Sequence, residues 1–125
     1  MKLAGISLML ALALAPVPVF AHGELPAASH GGLMQEAGEM YLELVVKGAD
    51  VAVYVLDESR KPVSALQITG VATILFSGKP YKVDLSPSQA NGVQGKLPVT
   101  VTGKVVATVV LKIGDKPASA RFVGA

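Results

Sequence analysis

Hydrophobic and polar residues alternate along most of the chain after Gly38. The alternation is clearest in residues 40–47, where every second side chain is a large apolar one. A period of two is typical of a β-strand with one buried and one exposed face. Apolar or alternating segments of the same kind follow at residues 51–56, 69–77, 81–85, 93–97, 104–113 and 118–123. The pattern predicts seven or eight short strands and no helix.

Turn-forming residues separate these segments at intervals of about eight to twelve residues. The first turn, residues 47–50, predicts a hairpin between strands 40–46 and 51–56, and Asn91-Gly92 marks another turn. A loop is expected from residue 86 to 91. Residues 104–113 form the longest and most continuously apolar segment, which predicts a central strand. Together these features predict an all-β fold, an immunoglobulin-like antiparallel β-sandwich of seven to eight strands that occupies residues 39–125 as one domain.

The first 21 residues have the pattern of a secretory signal peptide. A basic residue at Lys2 precedes an apolar run of about a dozen residues, and small residues lie before a cleavage site after Ala21. The run is too short for a membrane span, which needs roughly 20 residues. We therefore expect an exported, periplasmic protein with no membrane span after cleavage, and the chain has no cysteine.

Residues 22–38 have no periodicity and are rich in Gly, Ala, Ser, Pro and Glu, which predicts a flexible arm. This segment nevertheless contains both histidines of the chain. If cleavage follows Ala21, the amine and ring Nδ1 of His22 can chelate one metal ion, and His30 adds a second imidazole. Met34 offers a soft thioether and Glu36 a hard oxygen. Nitrogen donors of this kind favour copper among the divalent ions.

Three of these four candidate ligands also have a simpler interpretation, whereas packing explains Met34 in the arm less easily. His22 can be an unstructured terminal residue, and His30 can be a solvated turn histidine. Glu36 can be an ordinary polar residue of a loop. Met40 lies in register with the apolar positions of the first strand, so it is assigned to the core. The candidate metal ligands are His22, His30, Met34 and Glu36.

Other classes of function find little support in the residues. Ser29 and His30 are neighbours, but nucleophilic catalysis needs a facing base and an orienting carboxylate, which adjacency does not supply. No glycine-rich phosphate loop leads into a helix. The body of the chain is basic, but it has no Trp and its lysines are scattered, which argues against nucleic-acid binding. We expect a protein that is not an enzyme.

The segment 30–46 resembles a known group of bacterial proteins. The motifs are His-Gly-Gly at 30–32, Gln-Glu-Ala-Gly at 35–38 and Tyr-Leu-Glu-Leu-Val-Val at 41–46. A turn at 57–63 that ends in Lys-Pro-Val follows them. These motifs are similar to those of small periplasmic proteins, and N-terminal domains of periplasmic adaptors, associated with heavy-metal efflux pumps of the resistance-nodulation-division type. The resemblance implies a β-sandwich, a role in handling heavy metals, and His30 as a ligand.

A second resemblance is to periplasmic copper carriers of the CopC type, which also expose a histidine at the mature N-terminus of a small β-sandwich. The matching residue here is His22. Those carriers have further histidines late in the chain, whereas this sequence has none after His30.

Two functions from different classes follow. The first is an exported, non-enzymatic protein that binds a transition metal ion, copper by preference, through its N-terminal arm in heavy-metal efflux or resistance. The alternative is a metal-free β-sandwich module that binds an efflux adaptor or another envelope protein through a sheet edge or face.

Overall fold

A computed structural model describes residues 24–125. The predicted signal peptide, its cleavage site and His22 therefore lie outside the described residues.

The described part of the chain is built from antiparallel strands. The strands are β1 (Leu33–Ala37), β2 (Met40–Leu56), β3 (Ile68–Phe76), β4 (Lys79–Gln89), β5 (Gly92–Val101), β6 (Val106–Ile113) and β7 (Lys116–Val123), with a short 3-10 helix at Ala65–Gln67 before β3. The prediction of an all-β antiparallel fold with seven or eight strands is confirmed. No helix within residues 24–125 is long and apolar enough to cross a membrane.

The seven strands form one sheet in the order β1-β2-β5-β4-β3-β6-β7. Strand β4 belongs to both halves of this sheet, because its first part pairs with β3 and its last part, from Ser86, pairs with β5. It continues to Gln89, where the sequence predicts a loop. The sheet folds over a core of aliphatic side chains and Phe122. Its edge strands β1 and β7 lie side by side, and Lys116 Nζ is 3.3 Å from Glu39 Oε1.

Strand β2 differs from the prediction, because residues 40–56 form one long strand rather than a hairpin with a turn at 47–50. The pairing of β2 with β5 is irregular between Gly48 and Asp50, and Gly48 has φ of +62°. A bulge of this kind bends a strand and shifts its alternation by one residue. Leu44 before the bulge and Val51 after it therefore both point into the core.

The prediction that residues 104–113 form the longest strand is wrong, although β6 is an interior strand that pairs with β3 on one side and β7 on the other. Strand β6 has eight residues, fewer than half of the 17 in β2, and lies next to the edge strand β7. Its buried residues alternate with exposed ones, of which Val110 is 53% exposed. An apolar residue on the outer face cannot be distinguished in the sequence from a buried one. For this reason the nearly continuous apolar sequence of β6 indicates a strand that is buried on both faces.

Strand β1 lies inside the segment for which the sequence indicates no regular structure. Leu33–Ala37 pairs with Met40–Leu44 across a two-residue turn at Gly38 and Glu39. Gly38 has φ of +63°, which glycine adopts without strain. The short-range pairing with the strongly alternating β2 orders residues that have little strand pattern of their own.

Candidate metal site

A buried carboxylate lies on the outer face of β2. Leu42 and Leu44 point into the core, so Glu43 points to the opposite side of the sheet. Glu43 is nevertheless only 3% exposed, and it is the one buried charged residue among residues 24–125. Something on the outer face must therefore cover it and satisfy its oxygens.

The cover is the His-Gly-Gly turn, residues 30–32. The backbone N–H groups of His30 and Gly32 donate to Glu43 Oε2 at 2.8 and 2.9 Å. The His30 ring completes the set, with Nδ1 at 2.8 Å from Glu43 Oε1. Both carboxylate oxygens are thus bound by one turn, and the side chain of Glu43 fixes the position of that turn on the sheet.

The two glycines of the turn have different physical roles. Gly31 has φ of +76°, a left-handed conformation that glycine favours, and its missing side chain would meet no neighbour. Gly32 lies so close to β2 that a Cβ would fall 2.2 Å from the carbonyl oxygen of Leu44. Only glycine at position 32 lets the backbone come near enough to donate to Glu43.

The hydrogen bonds determine the charge of Glu43. Burial by itself raises the pKa of this carboxyl, but the bonds from the His30 ring and from the N–H groups of Gly32 and His30 together outweigh burial and lower the pKa below its ordinary value. The carboxylate is therefore ionised at neutral pH and can only accept. It follows that Nδ1 of His30 carries a proton, and that Nε2 of the neutral ring is left with a lone pair.

The plane of the imidazole is fixed by a second contact. The rings of His30 and Tyr54 are stacked with centroids 3.6 Å apart and planes 5° from parallel. Tyr54 in turn lies against Gly92 of the neighbouring strand, where a Cβ would come within 2.7 Å of its ring. The imidazole is thus held at one edge by Glu43 and on one face by Tyr54, while its side chain remains 40% exposed.

Met34 lies beside this imidazole. It is directly opposite Glu43 in the pairing of β1 with β2, so both side chains are on the outer face. Met34 and His30 line the same small cavity of about 20 Å³. The remaining lining residues are Ala27, Ser29, Glu43, Tyr54, Leu56 and Asn91. His30, an imidazole, and Met34, a thioether, therefore line one cavity on the outer face of β2.

Further contacts hold residues 24–32 on this outer face. Arg60 donates from Nη2 to the carbonyl oxygen of Glu24 at 2.6 Å. The Arg60 guanidinium also lies 5.8 Å from the centre of the Tyr41 ring. Pro26, two residues after Glu24, is buried. The described part of the N-terminal segment is laid across β2 from Glu24 to the His-Gly-Gly turn.

The structure brings together two of the four predicted ligands. His30 and Met34 line one cavity, whereas His22 lies outside the described residues. Glu36 is on the same outer face, opposite Tyr41, but it does not line that cavity. Met40 is half-buried against the core, where the sequence places it. Residues 24–125 contain no cluster of three or more His, Cys, Asp or Glu side chains arranged to hold a metal ion.

Glu43 and Tyr54 are parts of the site that the sequence pattern does not indicate. Each occupies an outward position of an alternating strand, where a polar or aromatic residue is unremarkable. The available signal was the pair of glycines after His30, since a second glycine that follows a turn glycine indicates a close backbone approach. Comparison with protein-family models, curated proteins and solved structures found no match.

Proposed function

We propose that this protein is an exported, non-enzymatic β-sandwich that binds a copper ion through its N-terminal segment and serves heavy-metal efflux or resistance. The observation that supports the proposal is the imidazole of His30, which is bound by a buried carboxylate at Nδ1, together with the cavity that His30 and Met34 both line. In this proposal Nε2 of His30 and the sulfur of Met34 are ligands, and His22 supplies further nitrogen from outside the described residues.

The pairing of His30 with Glu43 suits a metal ligand. Histidines that bind metal ions commonly donate their other ring N–H to a carboxylate, which fixes the tautomer and makes the coordinating nitrogen more basic. Glu43 therefore acts as a positioning residue, since its oxygens are already occupied by three donors. Its charge also offsets part of the charge of a bound cation.

The second donor is better assigned to Met34 than to Glu36. Met34 lines the cavity with His30, while Glu36 is two residues further along β1. A thioether is a soft donor and an imidazole suits copper, so the two together favour copper over hard ions such as Mg²⁺ or Ca²⁺. Two protein donors leave the coordination open, and His22 can complete it.

The direct test is a titration of the mature protein, starting at His22 with a free amine, with Cu(I), Cu(II) and Zn(II). We expect one copper site per chain. His30→Ala should weaken copper binding by at least tenfold, as expected when one of few ligands is lost, and His22→Ala should weaken it independently.

The chain supplies a matched control for the sulfur donor. Met34→Leu removes a thioether at the site, whereas Met40→Leu removes one that packs against the core. We expect weaker copper binding in the first variant only. Unchanged copper affinity after His22→Ala and His30→Ala are combined would contradict the proposal. Equal losses in Met34→Leu and Met40→Leu would exclude Met34 as a ligand.

A further inference from the structure

The outer face of strands β4, β3, β6 and β7 carries two parallel rows of side chains near one end of the sheet. The pairing registers place Pro80, Leu75, Val106 and Val123 side by side in one row. The next row, two residues further along each strand, consists of Lys82, Thr73, Thr108 and Arg121. We call these the aliphatic row and the basic row.

The aliphatic row lies at the end of the four strands and is open to solvent. Leu75 is 44% exposed and Val123 is 63% exposed, and Pro80 is exposed as well. Val106 is the first residue of β6 and Val123 the last of β7, and Leu75 and Pro80 flank the β3–β4 turn. Large apolar side chains concentrated at one rim of a sheet indicate a binding surface rather than scattered exposure.

The charges beside this row are of one sign. Lys82 and Arg121 stand at the two ends of the basic row, both exposed, and Lys79 adjoins Pro80 at the turn. Neither row contains a carboxylate, and the first acidic residue on this face, Asp84, belongs to the row beyond. A second copy of the same face would place like charges opposite each other, so the charges favour an anionic partner.

The spacing of the rows fits a lipid surface. Residues two apart on a strand are separated by roughly 7 Å. Amphipathic helices that bind bilayers bury their apolar face about 5–10 Å into the boundary between headgroups and acyl chains. If the aliphatic row enters that depth, the basic row stands at the level of the lipid phosphates.

We propose that this rim is a peripheral docking site for an anionic phospholipid surface. The aliphatic row inserts between headgroups, and Lys82 and Arg121 bind lipid phosphates. The inference does not rest on metal binding, because none of the residues in the two rows lines the cavity that His30 and Met34 share.

The test is co-sedimentation of the mature protein with vesicles of phosphatidylcholine alone and of phosphatidylcholine with phosphatidylglycerol. We expect binding to the anionic vesicles that weakens as salt is added. Lys82→Gln with Arg121→Gln should weaken it by about fivefold for each basic side chain removed. Leu75→Ser should also weaken it.

Matched controls separate this rim from general charge attraction. Lys61→Gln with Lys112→Gln removes the same charge elsewhere, and Leu66→Ser removes an 86% exposed leucine at the opposite end of β3. Both controls should bind vesicles more tightly than the corresponding rim variants. Absence of binding to anionic vesicles, equal losses in rim and control variants, or binding by this rim to an acidic protein without vesicle binding would overturn the proposal.

Discussion

Two regions of the outer face of the sheet differ in whether the chain covers them. The outer face of β1 and β2 is covered by residues 24–32, and beneath that cover lies the ionised Glu43. The outer face of β3 and β6 has no such cover, and Val110 and Leu75 remain exposed there. A charged side chain is therefore buried while aliphatic side chains are left in solvent.

Burial on this fold therefore depends on hydrogen-bonding partners as much as on hydrophobicity. Glu43 is buried because one turn supplies three donors to its two oxygens. The aliphatic side chains of β3 and β6 are exposed because residues 24–125 supply no segment that crosses them. The first face is thereby preorganised around an imidazole, and the second is available to a partner.

The largest expected effect comes from Gly32→Ala. A Cβ at position 32 would meet the carbonyl oxygen of Leu44, a backbone atom that cannot move aside easily. We expect a loss of about 3 kcal/mol in the free energy of unfolding, measured by urea denaturation. Gly31→Ala meets no neighbour and should cost about 1 kcal/mol, from its left-handed backbone alone. Equal costs for both substitutions would mean that the close approach is absent.

Glu43→Ala ranks next. It leaves the N–H groups of His30 and Gly32 without their acceptor, which should lower the free energy of unfolding by about 2–3 kcal/mol. The control is Glu39→Ala, which removes an exposed carboxylate 3.3 Å from Lys116 and should cost less than about 0.5 kcal/mol. If the two variants unfold at the same urea concentration, Glu43 does not hold residues 24–32 on β2.

The pH dependence of stability should depend on the same carboxylate. Because the pKa of Glu43 is lower in the folded protein than in the unfolded chain, its contribution is complete above the ordinary glutamate pKa of about 4.3. That contribution is lost as the pH falls through the lower, folded value. Urea denaturation of metal-free protein from neutral to acidic pH should show this loss, and Glu43→Gln should flatten it. An equally steep profile in the variant would assign the loss to other groups.

The smallest effect is expected on the uncovered face. Val110→Thr replaces a 53% exposed side chain by one of similar shape, so the free energy of unfolding should change by less than about 0.5 kcal/mol. Thermal denaturation of both proteins checks this. A clear loss of stability would show that another part of the chain packs on this face.

The sequence predicts the class of fold because alternation in residues 40–47 of β2 and 81–85 of β4 indicates one buried and one exposed side. It does not predict the bend of β2, since Gly48 has the same turn signature whether it ends a strand or forms a bulge. It also identifies His30 and Met34 as neighbours in one segment.

Hydrophobic alternation in the sequence does not identify Glu43 as the hydrogen-bond partner of His30. Glu43 is thirteen residues away and looks like any outward carboxylate of a half-buried strand. Its burial depends on a turn whose position is fixed by Gly32, a contact that only the folded chain reveals. The sequence does not indicate Tyr54 either, because the bulge in β2 is what brings Tyr54 and Glu43 to the same imidazole.

The most direct test of the account is the protonation and metal binding of the two ring nitrogens of His30. Nitrogen NMR of mature protein labelled with ¹⁵N in histidine, assigned with His22→Ala, distinguishes Nδ1 from Nε2. We expect that the neutral ring carries its proton on Nδ1, and that Cu(I) shifts the Nε2 resonance while Nδ1 keeps its proton. A neutral ring protonated on Nε2, or a resonance of His30 that copper leaves unchanged, would contradict it.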